Sequence, residues 1–323
     1  MSDIPGPQPR FTRQDVEFRE AMASDRAEIE RIASQTWEGR DYLPRVFDQW
    51  INDPDGSFSV MIYQGTIVGV GKLTRLDEDE WWLEGLRIDP AYRGRGLARV
   101  MHHFIVSQAR QVAKGEVGFA TAATNTAVVK LASETGFQRT ADFKVLQHTA
   151  TPTANSGEWR LLQKTDIPRL EAWLAESLLF NETAERFEHR WTWYRATRPI
   201  LEQLIEAGQI YSWHPQGEQD ELAGVLVANP LRQDRPEDEP VVSFAFADAL
   251  PEWRQQLWNA AAQIVATRGG QRATIKIPDR PEFTQPLMDA GWEVRDSHPV
   301  LFIRPIVLTE ESDVRFEEVP TVE

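Results

Sequence analysis

Leu86-Arg87-Ile88-Asp89-Pro90-Ala91-Tyr92-Arg93-Gly94-Arg95-Gly96-Leu97-Ala98 is the stretch whose reading decides the fold. A strand, a glycine turn and the head of a helix follow one another here without a spacer. Beyond it Leu97, Val100, Met101, Phe104, Ile105 and Val112 recur at helical spacing. The start of a helix gathers backbone N–H groups that lack an acceptor, and the helix dipole adds positive potential. Gly94 and Gly96 let the chain turn tightly and let an anion approach the backbone. Ala98 is small and leaves the first turn uncovered, while Arg93, Arg95 and Arg99 add full charges. The combination predicts a seat for an anion of pyrophosphate size.

Working outward, Val16–Glu20 reads as a strand, with Ser24 as the N-cap of a helix carrying Ile29, Ile32 and Ala33. A second helix covers Leu43–Ile51 and stops at Asn52-Asp53-Pro54. Ser57–Tyr63 and Thr66–Leu76 form a hairpin around Gln64-Gly65, and Trp81–Asp89 is a further strand. After the long helix, closed by Lys114-Gly115, come a strand at Val117–Ala122, a helix at Asn125–Thr135 stopped by Gly136, and a strand at Phe137–Leu146. The order β-α-α-β-β-β-α-β-α-β predicts an α/β fold, a mixed sheet with helices on its faces. Thr149–Gly157 reads as a linker, and a second copy of the plan follows. Its strands are Trp159–Leu162, Gln209–Trp213, Leu222–Ala228, Val241–Ala247, Ala273–Ile277 and Val300–Ile306. Its helices are Ile167–Leu179, Trp253–Thr267 and Phe283–Ala290. The expected domains are 15–148 and 158–308. Where the first copy has its glycine turn, the second has Phe246-Ala247-Asp248-Ala249-Leu250-Pro251-Glu252-Trp253-Arg254, with no glycine and one arginine. It is expected to keep the shape without the anion seat.

The bulk composition narrows the partners. The chain has 323 residues, 41% of them hydrophobic, a formal net charge of −15 and no cysteine. Such an acidic chain repels nucleic-acid backbones and anionic membrane surfaces. The lack of cysteine removes disulfides, thiolate zinc sites and a cysteine nucleophile. The six histidines show no metal spacing, so no metal is expected. No stretch is long and apolar enough to span a membrane, and the Pro-rich N-terminus lacks a signal-peptide core. These readings place the protein in the cytoplasm.

The glycine turn resembles the acyl-CoA loop of the Gcn5-related N-acetyltransferase (GNAT) superfamily, written [Q/R]-x-x-G-x-[G/A], with Arg93, Gly96 and Ala98 in its three defined places. Asn125 to Leu131 with Gly136-Phe137 resembles the family's later helix and its Gly-Phe stop. The resemblance implies tandem GNAT folds, the second degenerate, with acetyl-CoA as co-substrate. It implies that backbone groups of Arg87 and Ile88 pair with the pantetheine arm. The amides of Gly94, Arg95, Gly96, Leu97, Ala98 and Arg99 would hold the pyrophosphate, and Asn125 would sit near the pantetheine or thioester. Gly39, Asp41 to Pro44, Asp53-Pro54 and Glu84 to Arg87 are locally similar to the histidine N-acetyltransferase group of that superfamily.

Acyl transfer to an amine requires a base for the ammonium proton. Glu84, within Trp81-Trp82-Leu83-Glu84-Gly85-Leu86, has apolar neighbours that raise a carboxylate's pKa and is the candidate. The other reading is a structural carboxylate paired with Arg87 or Arg40. The family's tyrosine four residues before the Gly of Gly-Phe is replaced by Ala132, so water or another tyrosine, such as Tyr42, protonates the thiolate, or it leaves unaided. Arg40, Asp41 and Tyr42 are the candidate acceptor residues, Arg40 for a carboxylate and Asp41 for an amine. The same stretch also reads as a solvated turn. The expected function is N-acetylation of a small amine or amino acid by direct transfer. The alternatives are a protein or peptide N-acetyltransferase and a non-catalytic acyl-CoA sensor. The aromatic run Trp191-Thr192-Trp193-Tyr194 either closes over the acceptor site or fills core.

Overall fold

The computed structural model describes residues 10–36, 41–112, 114–150, 157–216 and 222–306. Trp37 to Arg40, the N-terminal tail up to residue 9, positions 151–156 of the expected linker and the tail from 307 lie outside them. The chain divides into two compact units, one comprising residues up to Phe119 with Glu134–Gly136 and the stretch from Ile303, the other Ala120–Ser133 and Phe137–Phe302.

The first unit runs β1 (Glu17–Glu20), α1 (Arg26–Ser34), α2 (Leu43–Ile51), β2 (Ser57–Tyr63), β3 (Thr66–Asp77), β4 (Glu80–Ile88), α3 (Leu97–Val112) and β5 (from Gly115 to Ala122). Strands β1 to β4 pair antiparallel in sequence order, and β5 joins β4 in parallel. On one face Ile29 and Ile32 of α1 and Leu43, Phe47 and Trp50 of α2 pack on Phe58, Val60 and Val70 of the sheet. Leu43, Phe47 and Trp50 stand at i, i+4 and i+7, the spacing that puts one helix stripe inward. On the other face Leu97, Met101 and Ile105 of α3 are buried. Gly71 in β3 makes that approach possible, since a Cβ there would lie 2.2 Å from the Ile105 side chain. Helix α1 starts differently from the sequence reading. Ala23–Asp25 forms a 3-10 turn and Asp25, not Ser24, precedes the helix. Asp25 is fixed by accepting the Met22 N–H and pairing with Arg19 at 2.6 Å.

The remaining elements are α4 (Thr126–Glu134), β6 (Gln138–Thr149), β7 (Gly157–Leu161), α5 (Ile167–Glu176), α6 (Leu178–Glu182), β8 (Arg186–His189), β9 (Thr192–Arg195), α7 (Arg198–Glu206), β10 (Ile210–Pro215), β11 (Gly224–Ala228), β12 (Val241–Ala249), α8 (Arg254–Thr267), β13 (Arg272–Pro278), α9 (Pro281–Asp289), β14 (Glu293–Val294) and β15 (Pro299–Ile306). In the second unit β7, β10, β11 and β12 pair antiparallel, β12 and β13 parallel, and β13 antiparallel to β6. Strand β6 thus belongs to the second unit. The predicted helix Ile167–Leu179 is two helices, because Ser177 is extended and its hydroxyl accepts the Phe180 N–H as a cap. Trp193 is in the core, while Trp191 is exposed.

His102 on α3 is buried and hydrogen-bonded to Thr135 Oγ1 at 3.0 Å. Burial, with the nearby His103 and Arg304 adding to it, pushes its pKa down to about 3. The unfolded chain binds this proton near 6.5 and the folded one does not, so the contribution is present above 6.5 and is lost as pH falls towards 3. Urea unfolding between pH 7 and 5 is expected to show a steeper loss of stability in the wild type than in His102→Gln.

Candidate active site

Strand β4 pairs with β5 only through Glu80, Trp81 and Trp82, opposite Glu116, Val117 and Gly118. From Leu83 to Ile88 it keeps its pairing with β3 on the other side. Past Trp82 the pairing with β5 stops, and the Leu86 and Ile88 carbonyls accept from Arg87 Nη1 and Arg93 Nε instead. An extended ligand with amide groups can pair with a strand edge as an added strand.

Between Lys72↔Glu84 and Val70↔Arg87 the β3–β4 register shifts by one residue. The extra residue is accommodated at Gly85, whose φ is +69°. This is a β-bulge, which bends a strand and re-aims its side chains. Gly is required here for a second reason: a Cβ would meet the Trp50 ring at 2.5 Å.

The bulge separates two polar arrangements. On one side Arg87 makes a two-pronged pair with Asp41, Nε to Oδ2 at 2.7 Å and Nη2 to Oδ1 at 3.2 Å. Asp41 also accepts the Leu43 N–H, so it holds the start of α2 onto β4. The Arg87 guanidinium stands 5.4 Å from the Tyr42 ring centre. On the other side Glu84 accepts a hydrogen bond from Thr74 Oγ1 at 2.6 Å. Glu84 thus has its carboxylate on a hydroxyl, and Arg87 is engaged by Asp41. Burial pushes the Glu84 carboxyl above its ordinary value, while Thr74, Lys72 and Arg87 pull it back. Tyr42 is pushed up to about 12, by burial first and then by the Glu84 charge, so it keeps its proton at neutral pH.

Lys72 was not singled out by the sequence reading. It is fully buried on β3 opposite Glu84, ion-paired with Asp53 and donating to the Leu73 carbonyl at 2.9 Å. A buried ammonium needs such partners. The sequence signal was a lysine within the apolar run Ile67-Val68-Gly69-Val70-Gly71-Lys72-Leu73, where a solvated side chain has no place.

Past Ile88 the chain makes a 3-10 turn at Pro90–Tyr92, held by Asp89, which accepts the Ala91 N–H at 2.9 Å and pairs with Arg31 at 2.7 Å. Gly94 and Gly96 follow with φ of +76° and +89°. Among the described residues no acceptor takes the amides of Gly94, Gly96, Leu97 or Ala98, whereas those of Arg99 and Val100 return to the Gly96 carbonyl. Arg93 donates to the Ile88 carbonyl at 3.1 Å, Arg95 lies 4.0 Å from the Phe11 ring centre, and Arg99 pairs with Glu134 at 3.4 Å. The loop is therefore a cluster of open amides at a helix N-terminus with three cations beside it, a geometry that seats anions.

Of the other expected site residues, Arg40 lies outside the described residues. Asn125 belongs to the second unit, where its carbonyl and side chain accept the Val128 N–H at the head of α4. Ala132 is fully buried, so α4 presents no proton donor at that place. In the second unit the head of α8 carries a buried pair, Arg254 Nε to Asp248 Oδ1 at 2.9 Å, with Ser177 donating to Oδ2 at 2.8 Å. A carboxylate fixed there repels phosphate. No helix of the described residues is long and apolar enough to cross a membrane.

The segment that builds this site, residues 23–137, matches the acetyltransferase (GNAT) family. Over this stretch the chain is similar to that family. Over 96 residues the chain is 36% identical to a histidine N-acetyltransferase of Xenopus tropicalis, covering 29% of this chain and 30% of that protein. Over 100 residues it is 29% identical to the human protein named "Probable N-acetyltransferase 16", covering 31% of this chain and 27% of that one. The chain thus spans under a third of the length of these curated relatives. A GCN5-related N-acetyltransferase from Sphaerobacter thermophilus superposes over 90% of this chain and 96% of its own, with a TM-score of 0.59 at 14% identity, a likeness of fold.

Asp41 is almost wholly buried at 1% side-chain exposure, and Arg87 is at 10%. Removing one member of such a pair strands the other charge. Arg87→Met is expected to lower the unfolding free energy by about 3–5 kcal/mol, and Asp41→Asn combined with Arg87→Met by less than the sum of the singles. Denaturant melts of the three variants check both statements.

Proposed function

We propose that this chain is an acetyl-CoA-dependent N-acetyltransferase acting on a small amine or amino acid by direct transfer. The chemistry is assigned to the copy at 15–148, and the copy at 158–308 serves as a partner without an anion seat of its own. The observation that carries the reading is a single strand, β4, that bears a part-buried carboxylate at Glu84, leaves its β5 pairing after Trp82 and runs into the loop where, among the described residues, the amides of Gly94, Gly96, Leu97 and Ala98 meet no acceptor.

Acetyl-CoA, when bound, supplies an activated acyl thioester. The residues fit it: the amides of Gly94, Gly96, Leu97 and Ala98, with Arg93, Arg95 and Arg99, suit a pyrophosphate, and the β4 edge at Arg87 and Ile88 suits the amide-bearing arm. Glu84 takes the proton of the incoming ammonium, directly or through a water. Its raised pKa brings it closer to the operating pH, where a base transfers protons best. Lys72 keeps that rise in check by favouring the ionised form. Tyr42, which holds its proton to about pH 12, is the donor to the leaving thiolate in place of the residue that Ala132 replaces. Arg40 is assigned to the acceptor's carboxylate. Asp41 contributes through Arg87, by fixing the acceptor-side helix to β4. The relatives named as histidine N-acetyltransferases make histidine the first acceptor to try.

Glu84→Gln is expected to cost about 10²–10⁴-fold in kcat/KM with acetyl-CoA affinity little changed, as befits loss of a general base. An unaltered rate would remove Glu84 as the base, and acetyl-CoA binding by the wild type with no amine acetylated would point to an acyl-CoA sensor. In the wild type kcat/KM should rise with pH through a limb lying above 4.5, the ordinary value for this carboxyl. Lys72→Met should move that limb to higher pH. Separately, acetyl-CoA should raise the melting midpoint of the wild type and not of Gly96→Glu, whose side chain intrudes on the amides. No rise in the wild type would remove the anion seat from the scheme.

A further inference from the structure

The second unit holds a cavity that the proposed chemistry does not use. It has a volume of about 50 Å³ and lies among His189, Arg190, Trp191, Asn229, Arg232, Ser243 and Lys276. Its floor is a buried ion pair: Lys276 Nζ donates to Glu188 Oε1 at 2.7 Å, with Glu188 only 3% exposed. The same Oε1 accepts the Trp191 N–H at 2.6 Å. Asn229 closes the floor by donating to the Glu188 carbonyl at 2.9 Å and to Ser243 Oγ at 3.0 Å.

The rim is a tight turn between β8 and β9. Arg190 and Trp191 have φ of +52° and +71°. Two-residue hairpin turns with both positions left-handed are normally made by Asn-Gly or Asp-Gly. An arginine and a tryptophan there are strained, and strain held in place by buried partners points to a working surface. Here the holding partner is Glu188. The turn leaves the indole of Trp191 38% exposed, with Lys276 Nζ 5.7 Å from its ring centre.

The charge balance sets the ligand. Lys276 and Glu188 cancel. Burial lowers the pKa of His189, which keeps it neutral near pH 7. Among the described residues Arg190 has no carboxylate partner, and Arg232 has only the exposed Asp234 at 3.7 Å, a contact of little strength in water. The cavity is therefore a cationic mouth over a neutral, hydrogen-bonding floor. The cavity has room for a carboxylate, and the exposed indole beside it offers a surface for the flat remainder of a ligand. We propose that this cavity is a binding site for a small monocarboxylate with a flat apolar body, its carboxylate between Arg190 and Arg232 and its body on Trp191. The site is independent of the acetyl-transfer reading, since no residue of it lies in the first unit.

The test is fluorine NMR of 4-fluorobenzoate titrated with the full chain, beside fluorobenzene and inorganic phosphate as competitor. Saturable broadening is expected for 4-fluorobenzoate and not for fluorobenzene. Arg190→Gln and Arg232→Gln, both at exposed positions, should each weaken binding by about tenfold, the scale of one charge-assisted hydrogen bond. Trp191→Ala should weaken 4-fluorobenzoate without creating phosphate competition. Gly96→Glu should leave the titration unchanged. Equal binding of fluorobenzene would overturn the proposal in favour of a plain apolar patch. Loss of binding in Gly96→Glu with retention in both arginine variants would overturn it by placing the ligand at the α3 loop. Phosphate displacing 4-fluorobenzoate at equal concentration would overturn the carboxylate assignment.

Discussion

The pair between Asp41 and Arg87 is the constraint on which the geometry of the first unit's candidate site depends. It is buried, two-pronged and made between the start of α2 and the strand that leads to the anion loop. Two charges withdrawn from water gain little net stability from meeting, yet neither can be removed alone without stranding the other. Such a pair specifies position. It sets where α2 begins relative to β4, and with it where Tyr42 and Trp50 stand over the Gly85 bulge.

From that fixed point the polar groups divide by function. The bulge at Gly85 shifts the register so that Glu84 meets Thr74 and faces Lys72, while Arg87 turns to Asp41. Without the extra residue the alternation of the strand would assign these side chains differently. The same strand loses its β5 partner after Trp82 and leads to the amides of Gly94, Gly96, Leu97 and Ala98, which meet no acceptor among the described residues. Unsatisfied backbone is costly when buried, and at this loop it lies open, where a ligand can satisfy it.

Much of this was legible in the sequence. The strand-turn-helix run at Leu86 to Ala98 announced the loop, because Gly94 and Gly96 take the left-handed conformation that other residues avoid. The order of elements through residue 149 was readable from helical spacing in the helices and from apolar runs bounded by turn residues in the central strands, which are buried on both faces. Three things were not. Lys72 stands out as a charge in an apolar run, but its partner Asp53, nineteen positions away, cannot be read from that run. The β8–β9 hairpin was missed because its turn residues, Arg190 and Trp191, carry none of the usual turn chemistry. Ser177 was read as mid-helix because its capping role is decided by a bond to Asp248, seventy-one positions on. Each miss is a case in which a distant partner overrides local preference.

The buried Asp248 and Arg254 at the head of α8 have a consequence for how this half of the molecule can change. Replacing Asp248 alone leaves a guanidinium at 12% exposure without its partner, and replacing Arg254 alone leaves a carboxylate at 4%. Either step is worse than the pair or than its complete absence. A route from this arrangement to an open anion seat therefore has no single-residue path that keeps the fold intact at every step. The ion pair works as a ratchet on the head of α8, since it can be kept or lost only as a whole.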